Sequence, residues 1–387
     1  MRMKKIMIVA VAVLTLAACS KTFDHSKAAT EGNAIGFGTW AETLTKARAT
    51  GKTTTSFTSG EIFKVYGTKL VGSTKYPVFN GTEIKATADG TTVNWDYNNA
   101  GDIRYWDRAA TSYTFYAALP GSMVTAYSSL TDDQKTAISS TEYHSNGLFY
   151  GSFTFEDPTS MSNDVLVADE NTVVVNDTNV KNDVELEFNH IASCVDLKAK
   201  KDVTLKDATV KVTGVKFVNI CKTGNFHVSS YSPFTVAWSD QTGTLGTSGT
   251  YTADLGGDKV VEAYSSYGTT EPADPNAVNT TTGTPVDVLG GFVFLPQTLA
   301  ANTQKILLTY SIAVGSEQPS VYTDVPVDIV AFMTDDHNDN AGGAAIDVWE
   351  AGKRYIYTIT IGANAITFTA SVKDWATTVN GYYHLVN

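Results

Sequence analysis

Few residues of this chain have types and spacings that could do chemistry, and the first is a cysteine. Cys19 ends the run Leu16-Ala17-Ala18-Cys19, behind an apolar stretch from Ile6 to Leu16 and a positive start of Arg2, Lys4 and Lys5. A basic start, an apolar run too short to cross a bilayer and small residues before the cysteine make a lipobox. The thiol is therefore expected to be acylated and to anchor the chain once residues 1–18 are removed, not to act as a nucleophile. The other two cysteines, Cys194 and Cys221, lie in the strand-like segments VELEFNHIASCVDLKA and VTGVKFVNICKTG. Outside the cytosol they either pair or stay as two buried thiols that pack as small hydrophobes. Pairing would close a loop of about 27 residues, worth roughly 3.5 kcal/mol in the chain-entropy description.

Metal and acid–base chemistry find little support. The densest polar cluster is Asp335-Asp336-His337-Asn338-Asp339-Asn340, where Asp336, Asn338 and Asn340 alternate and Asp347 follows. The spacing has some likeness to a calcium loop, but Ala341 stands where such a loop turns on glycine and no closing glutamate is present. A solvated hairpin loop is the better reading. The chain has no HExxH, GxSxG, phosphate-binding glycine loop or CxxC motif, so no catalytic residue, metal or cofactor is expected. His190 sits within a strand pattern and reads as a hydrogen-bonded structural histidine. Trp95, Tyr97, Tyr105 and Trp106 cluster closely. They form either the core and rim of a sheet or a platform on which sugar rings stack.

The formal net charge is −12, and loss of the signal removes three further positive charges. An acidic exterior opposes nucleic-acid binding and peripheral binding to anionic lipid, which leaves the acyl group on Cys19 as the membrane contact. The length suits two domains, and 43% hydrophobic residues can fill a core in each.

The elements that must position these residues are strands. Apolar and polar residues alternate in SYTFYAAL (Tyr113, Phe115, Ala117, Leu119), VELEF (Val184, Leu186, Phe188), ILLTYSIAV (Ile306, Leu308, Tyr310, Ile312, Val314), RYIYTITIG (Tyr355, Tyr357, Ile359, Ile361) and AITFTASV (Ile366, Phe368, Ala370, Val372). Helical signal is confined to Thr131–Ser139, where Thr131 and Gln134 have capping-box spacing. The reading is all-β: antiparallel sandwiches with residues 19–32 as a tether, a first domain over 33–180 and a second over 181–387, the break lying in VNDTNVKND. Ser265–Thr284 reads as a long surface loop within the second domain.

The order of segments resembles the fimbrillin family, the lipoprotein-precursor pilins and pilus-like adhesins of Gram-negative gut and oral anaerobes. The likeness runs through NAIGFGTWAETLTKA, FKVYGTKL, YPVFNGTEI, VNWDYNNAGDIRYWDRAATSYTFYAALP, DVLVAD, VELEFNHIASCVDLKA and WEAGKRYIYTITIGANAITFTASVKDW, over residues 33–375. The resemblance implies two transthyretin-like antiparallel β-sandwich domains in tandem. It implies export as an outer-membrane lipid-anchored precursor and assembly at the cell surface into a pilus with other subunits of the same or another kind, with a host protein or glycan as receptor for an adhesin. It also implies that an arginine-specific protease removes the first strand and that a neighbour's strand takes its place. On this chain the first strand would be Ala34–Trp40, with Ile35 and Phe37 facing the core. Arg48, in the polar segment after it, would be either the processing site or a solvated surface charge. The tail from Thr378 to Val386, with Tyr383 and Leu385 pointing one way, would be either the donor or the last strand of its own domain. Shaft, tip and anchor roles all remain open to such a chain. A different class, a glycan-binding lipoprotein of a polysaccharide-uptake system, would share the signal, charge and sandwich content.

Overall fold

Alternation becomes sheet along nearly all of the described chain. The structure is a computed structural model that describes residues 34–39, 59–89, 92–137, 139, 143, 146–155, 164–239, 248–267, 279–330, 346–363 and 366–374. In chain order the first half holds β1 (Phe37–Thr39), β2 (Ile62–Val71), β3 (Thr74–Asp89), β4 (Thr92–Tyr97), β5 (Ser112–Leu119), β6 (Tyr150–Thr154), β7 (Leu166–Ala168), β8 (Asn171–Val174), β9 (Val184–Leu186) and β10 (Phe188–His190). The α-helix α1 (Asp132–Ala137) lies between β5 and β6. Its expected capping box is present: Thr131 N–H donates to Gln134 Oε1 at 2.9 Å and Gln134 N–H donates to Thr131 Oγ1 at 3.3 Å.

The main sheet of this half runs β10-β7-β5-β2-β3-β4, with β8 also on β5. Gly72, at φ +62°, turns β2 into β3. One face of the sheet buries Phe63, Phe79, Trp95, Tyr97, Trp106, Tyr113 and Phe115 in a first apolar core. SYTFYAAL is covered on both faces rather than one: Tyr116 and Ala118, opposite the expected apolar set, enter a second core. VELEF also departs from a single strand. At Glu187 the chain changes partners, so β9 pairs parallel with β1 while β10 pairs antiparallel with β7.

The second half holds β11 (Ser193–Lys201), β12 (Ala208–Cys221), β13 (Thr223–Tyr231), β14 (Phe234–Ser239), β15 (Ser248–Ala253), β16 (Lys259–Val261), β17 (Tyr264–Tyr267), β18 (Asn279–Thr282), β19 (Val286–Phe294), β20 (Gln297–Thr298), β21 (Lys305–Val314), β22 (Ser320–Asp328), β23 (Val348–Trp349), β24 (Lys353–Ile361) and β25 (Ile366–Asp374). One sheet is β18-β17-β11-β24-β25 with β19 on β11, and another is β15-β12-β21-β22 with β16 on β12. Both contribute to a large core around Phe217, Phe294, Trp349 and Tyr357. Tyr355, Tyr357, Ile359 and Ile361 are buried as the alternation requires. Val314 is 58% exposed because it ends β21, beyond the core. The ends of the expected Ser265–Thr284 loop are strands, since the β-branched Thr280–Thr282 run pairs with Tyr264–Ser266.

The halves share structure. Strand β6 pairs with β13, and the second core joins Tyr66, Tyr116 and Phe149 to Ile191, Phe226 and Leu295. Tyr150 and His227 stack across this pairing with ring centroids 4.0 Å apart. Burial lowers the pKa of His227, and its Nε2 is buried without a hydrogen-bond partner. The unfolded chain therefore takes up this proton more readily than the folded one. Stability is expected to be full above the ordinary histidine value of about 6.5 and to fall as pH drops through it toward the lowered folded value. Urea midpoints at pH 7.5 and pH 5, for the parent and for His227→Gln, check this: the substitution should flatten the change.

Candidate functional site

The segment from Ala34 to Thr39 combines buried side chains with a short parallel pairing. Its two large side chains are core residues, with Ile35 0% and Phe37 3% exposed. Main-chain contacts on both sides hold the chain on which they sit. Ile35 N–H donates to the Arg104 carbonyl at 2.8 Å, Val184 N–H donates to the Gly36 carbonyl at 2.9 Å, and Ala34 bridges to Tyr105. Strand β1 then runs parallel to β9 with Phe37 opposite Val184, Gly38 opposite Glu185 and Thr39 opposite Leu186.

Phe37 is gripped by aromatic edges. Its ring centroid lies 5.4 Å from that of Phe79, 5.8 Å from Phe115, 6.2 Å from Tyr97 and 6.4 Å from Phe63, all edge-to-face. This arrangement sets the positive edge of one ring against the negative face of the next. The alternation of β2, β3, β4 and β5 aims these four rings to one side of their sheet. A polar clamp completes the groove: the Tyr97 hydroxyl donates to the Ile35 carbonyl at 2.7 Å. Burial pushes the pKa of this hydroxyl far up, so it stays protonated and able to donate.

Burial, then the neighbouring Asp96 carboxylate, raises the pKa of Asp183, the residue before β9. A cavity of about 700 Å³ beside it is lined by residues of β8 and by Asn182 to Glu185.

Of the residues singled out in the sequence, Ile35 and Phe37 face the core as expected. Cys19, Arg48, the Asp335–Asn340 cluster and the Thr378–Val386 tail lie outside the described residues. Cys194 and Cys221 are both fully buried in the second core. The Cys221 thiol donates to the Thr223 carbonyl at 3.3 Å, and its N–H donates to Gln297 Oε1 at 3.0 Å. His190 is a buried, hydrogen-bonded histidine, with Nδ1 2.8 Å from Asp164 Oδ1. Trp95, Tyr97 and Trp106 are core residues, and of the four clustered aromatics only Tyr105, 51% exposed, offers a ring to solvent. Among the described residues no three His, Cys, Asp or Glu side chains gather as metal ligands. Sequence reasoning missed the Tyr97 clamp and the β9 wall. The first was hidden because an aromatic at an apolar position reads as packing, the second because alternation continues unbroken through Glu187.

An all-β chain with an N-terminal strand completing its core is the class that the fold and groove define. Residues 45–375 match the profile of the family described as Fimbrillin-like, and the chain belongs to that family. A curated relative, the fimbrium subunit Fim1C of Phocaeicola vulgatus, is 28% identical over 224 residues, which is 55% of this chain and 56% of that protein. The chain thus spans just over half the length of this relative. The crystal structure of a fimbrial protein from Bacteroides vulgatus shares the fold at 16% identity, with a TM-score of 0.50 over 89% of this chain and 100% of that one.

Proposed function

We propose that this chain is a cell-surface fimbria subunit or fimbrillin-like adhesin, without enzymatic activity, that polymerises by exchanging its first strand. Cys19 carries the acyl anchor that holds the precursor at the outer membrane. Two transthyretin-like sandwiches in tandem, over residues 33–180 and 181–387, form the body. Strands β9 and β10, which follow residue 180 in the chain, pair with β1 and β7 of the first portion. Cleavage after Arg48 separates β1 from the rest of the chain, and a strand from a neighbouring subunit, Thr378–Val386, fills the groove.

The observation that carries this reading is the β1 groove. Burying Ile35 and Phe37 contributes roughly 1.5–3 kcal/mol each, while the ladder to β9 spans only Phe37 to Thr39. Once the covalent link to β2 is cut, this strand is held by reversible contacts alone. Its departure exposes an apolar slot and the edge of β9, and both favour capture of another strand.

The variant Arg48→Ala tests the reading in the native host. Surface protein from this variant is expected to stay lipidated at Cys19 and to run as a monomer. Polymers of parental length from the variant would overturn cleavage at Arg48.

A further inference from the structure

The donor's direction follows from the order of side chains in the groove. Along Ala34–Thr39 the core is filled by an aliphatic residue and then, two positions on, by an aromatic one: Ile35, then Phe37. The Phe37 pocket is walled by four aromatic rings, whereas the Ile35 main chain is held by the Tyr97 hydroxyl on its carbonyl and by the Arg104 carbonyl on its N–H. From Trp375 to Asn387 the tail has no aliphatic side chain followed two positions later by an aromatic one. It has the reverse, Tyr383 followed by Leu385. In the direction of β1, a tail with Tyr383 in the aromatic pocket would bring Gly381 to the Ile35 pocket and leave it unfilled.

We infer that the donor strand enters the groove reversed, with Tyr383 in the place of Phe37 and Leu385 in the place of Ile35. It then lies antiparallel to β9 where β1 lies parallel. This inference rests on the strand-replacement reading above and adds polarity and register to it. It also supplies a driving force. The two strands bury similar side chains, but antiparallel pairing is slightly more stable per residue than parallel pairing, so exchange runs toward the polymer. The occupant is a second copy of this chain, recognised through the order of its side chains.

Register makes the inference testable. Gly38 lies opposite Glu185, which is exposed on β9. With the tail reversed and Tyr383 opposite Val184, Tyr382 falls opposite Glu185. A tail running in the direction of β1 would instead bring His384 there, or Val386 if Tyr383 occupied the Ile35 pocket. Disulfide formation demands Cβ atoms roughly 3.5–4.5 Å apart, which separates these positions. Full-length chains carrying Glu185→Cys together with Tyr382→Cys, His384→Cys or Val386→Cys are assembled on the native cell surface. They are then exposed to a mild thiol oxidant and boiled in detergent without reductant, with Glu185→Cys alone as control. A covalent ladder from the Tyr382→Cys pair alone is the expected result. A ladder from either other pair overturns the polarity and register. If no pair gives a ladder while unboiled polymers persist, the tail is not the occupant, and the inference is overturned. Absence of any polymer from the unsubstituted chain would instead sink the strand-replacement reading itself.

Discussion

Phe37→Ala is expected to lower the unfolding free energy of the uncut chain by about 3–5 kcal/mol, the range for emptying a buried phenylalanine site. The cost is set by what surrounds the ring: four aromatic neighbours, drawn from β2, β3, β4 and β5, that cannot close over the void without leaving their own sheet positions. Urea denaturation followed by tryptophan fluorescence reads this directly, since Trp95 packs on Phe63 with centroids 4.7 Å apart at the same core. A loss below about 1 kcal/mol would mean that β1 is peripheral rather than a core strand, because surface substitutions sit in that range. Ile35→Val, which removes a single methylene, should cost about 0.5–1.5 kcal/mol and serves as the graded control.

Asp196→Ala is expected to be of similar size, about 3–5 kcal/mol, in a different sheet. Asp196 is 4% exposed and lies on β11, the central strand of its sheet. Its carboxylate accepts from Arg354 Nε at 2.5 Å and Nη2 at 3.0 Å, a two-pronged contact across the β11–β24 pair, and also from Gly291 N–H at 2.7 Å. Removing it withdraws the carboxylate from a half-buried guanidinium and a buried amide together, which costs more than the net worth of the intact pair. Asp196→Asn, which keeps an acceptor for Gly291 but not the charge, should fall between the two. Equal midpoints for all three chains would show that the pair adds nothing to stability.

Neither effect lies in a strand that its period marks, since β11 is buried along nearly all of its length, and the limits of what alternation shows have one physical cause. Tyr355, Tyr357, Ile359 and Ile361 alternate with half-buried residues because β24 has one face on the large core. In such a strand the period alone identifies the inward set. In β5 the period gives only half of the answer, since Tyr116 and Ala118 meet a core that includes residues more than a hundred positions later, such as Phe226. No local pattern encodes that second partner. The groove divides in the same way. Ile35 and Phe37 were placed through the family resemblance, and the capping box at Thr131 was legible as a local exchange of hydrogen bonds. The parallel wall supplied by Val184–Leu186 and the hydroxyl of Tyr97 were not, because each depends on a pairing between segments far apart in the chain.

The claim that organises these observations is that β1 is a temporary occupant of its groove. The most direct test is the N-terminal residue and intact mass of the protein stripped from its native cell surface, with its migration recorded before and after boiling in detergent. The account predicts a chain that begins at Ala49, and a detergent-resistant ladder that collapses to monomer on boiling, when the exchanged strands are released. A chain that begins at lipidated Cys19 and runs as a monomer without boiling would contradict it, leaving β1 as a permanent strand of a monomeric, membrane-anchored protein.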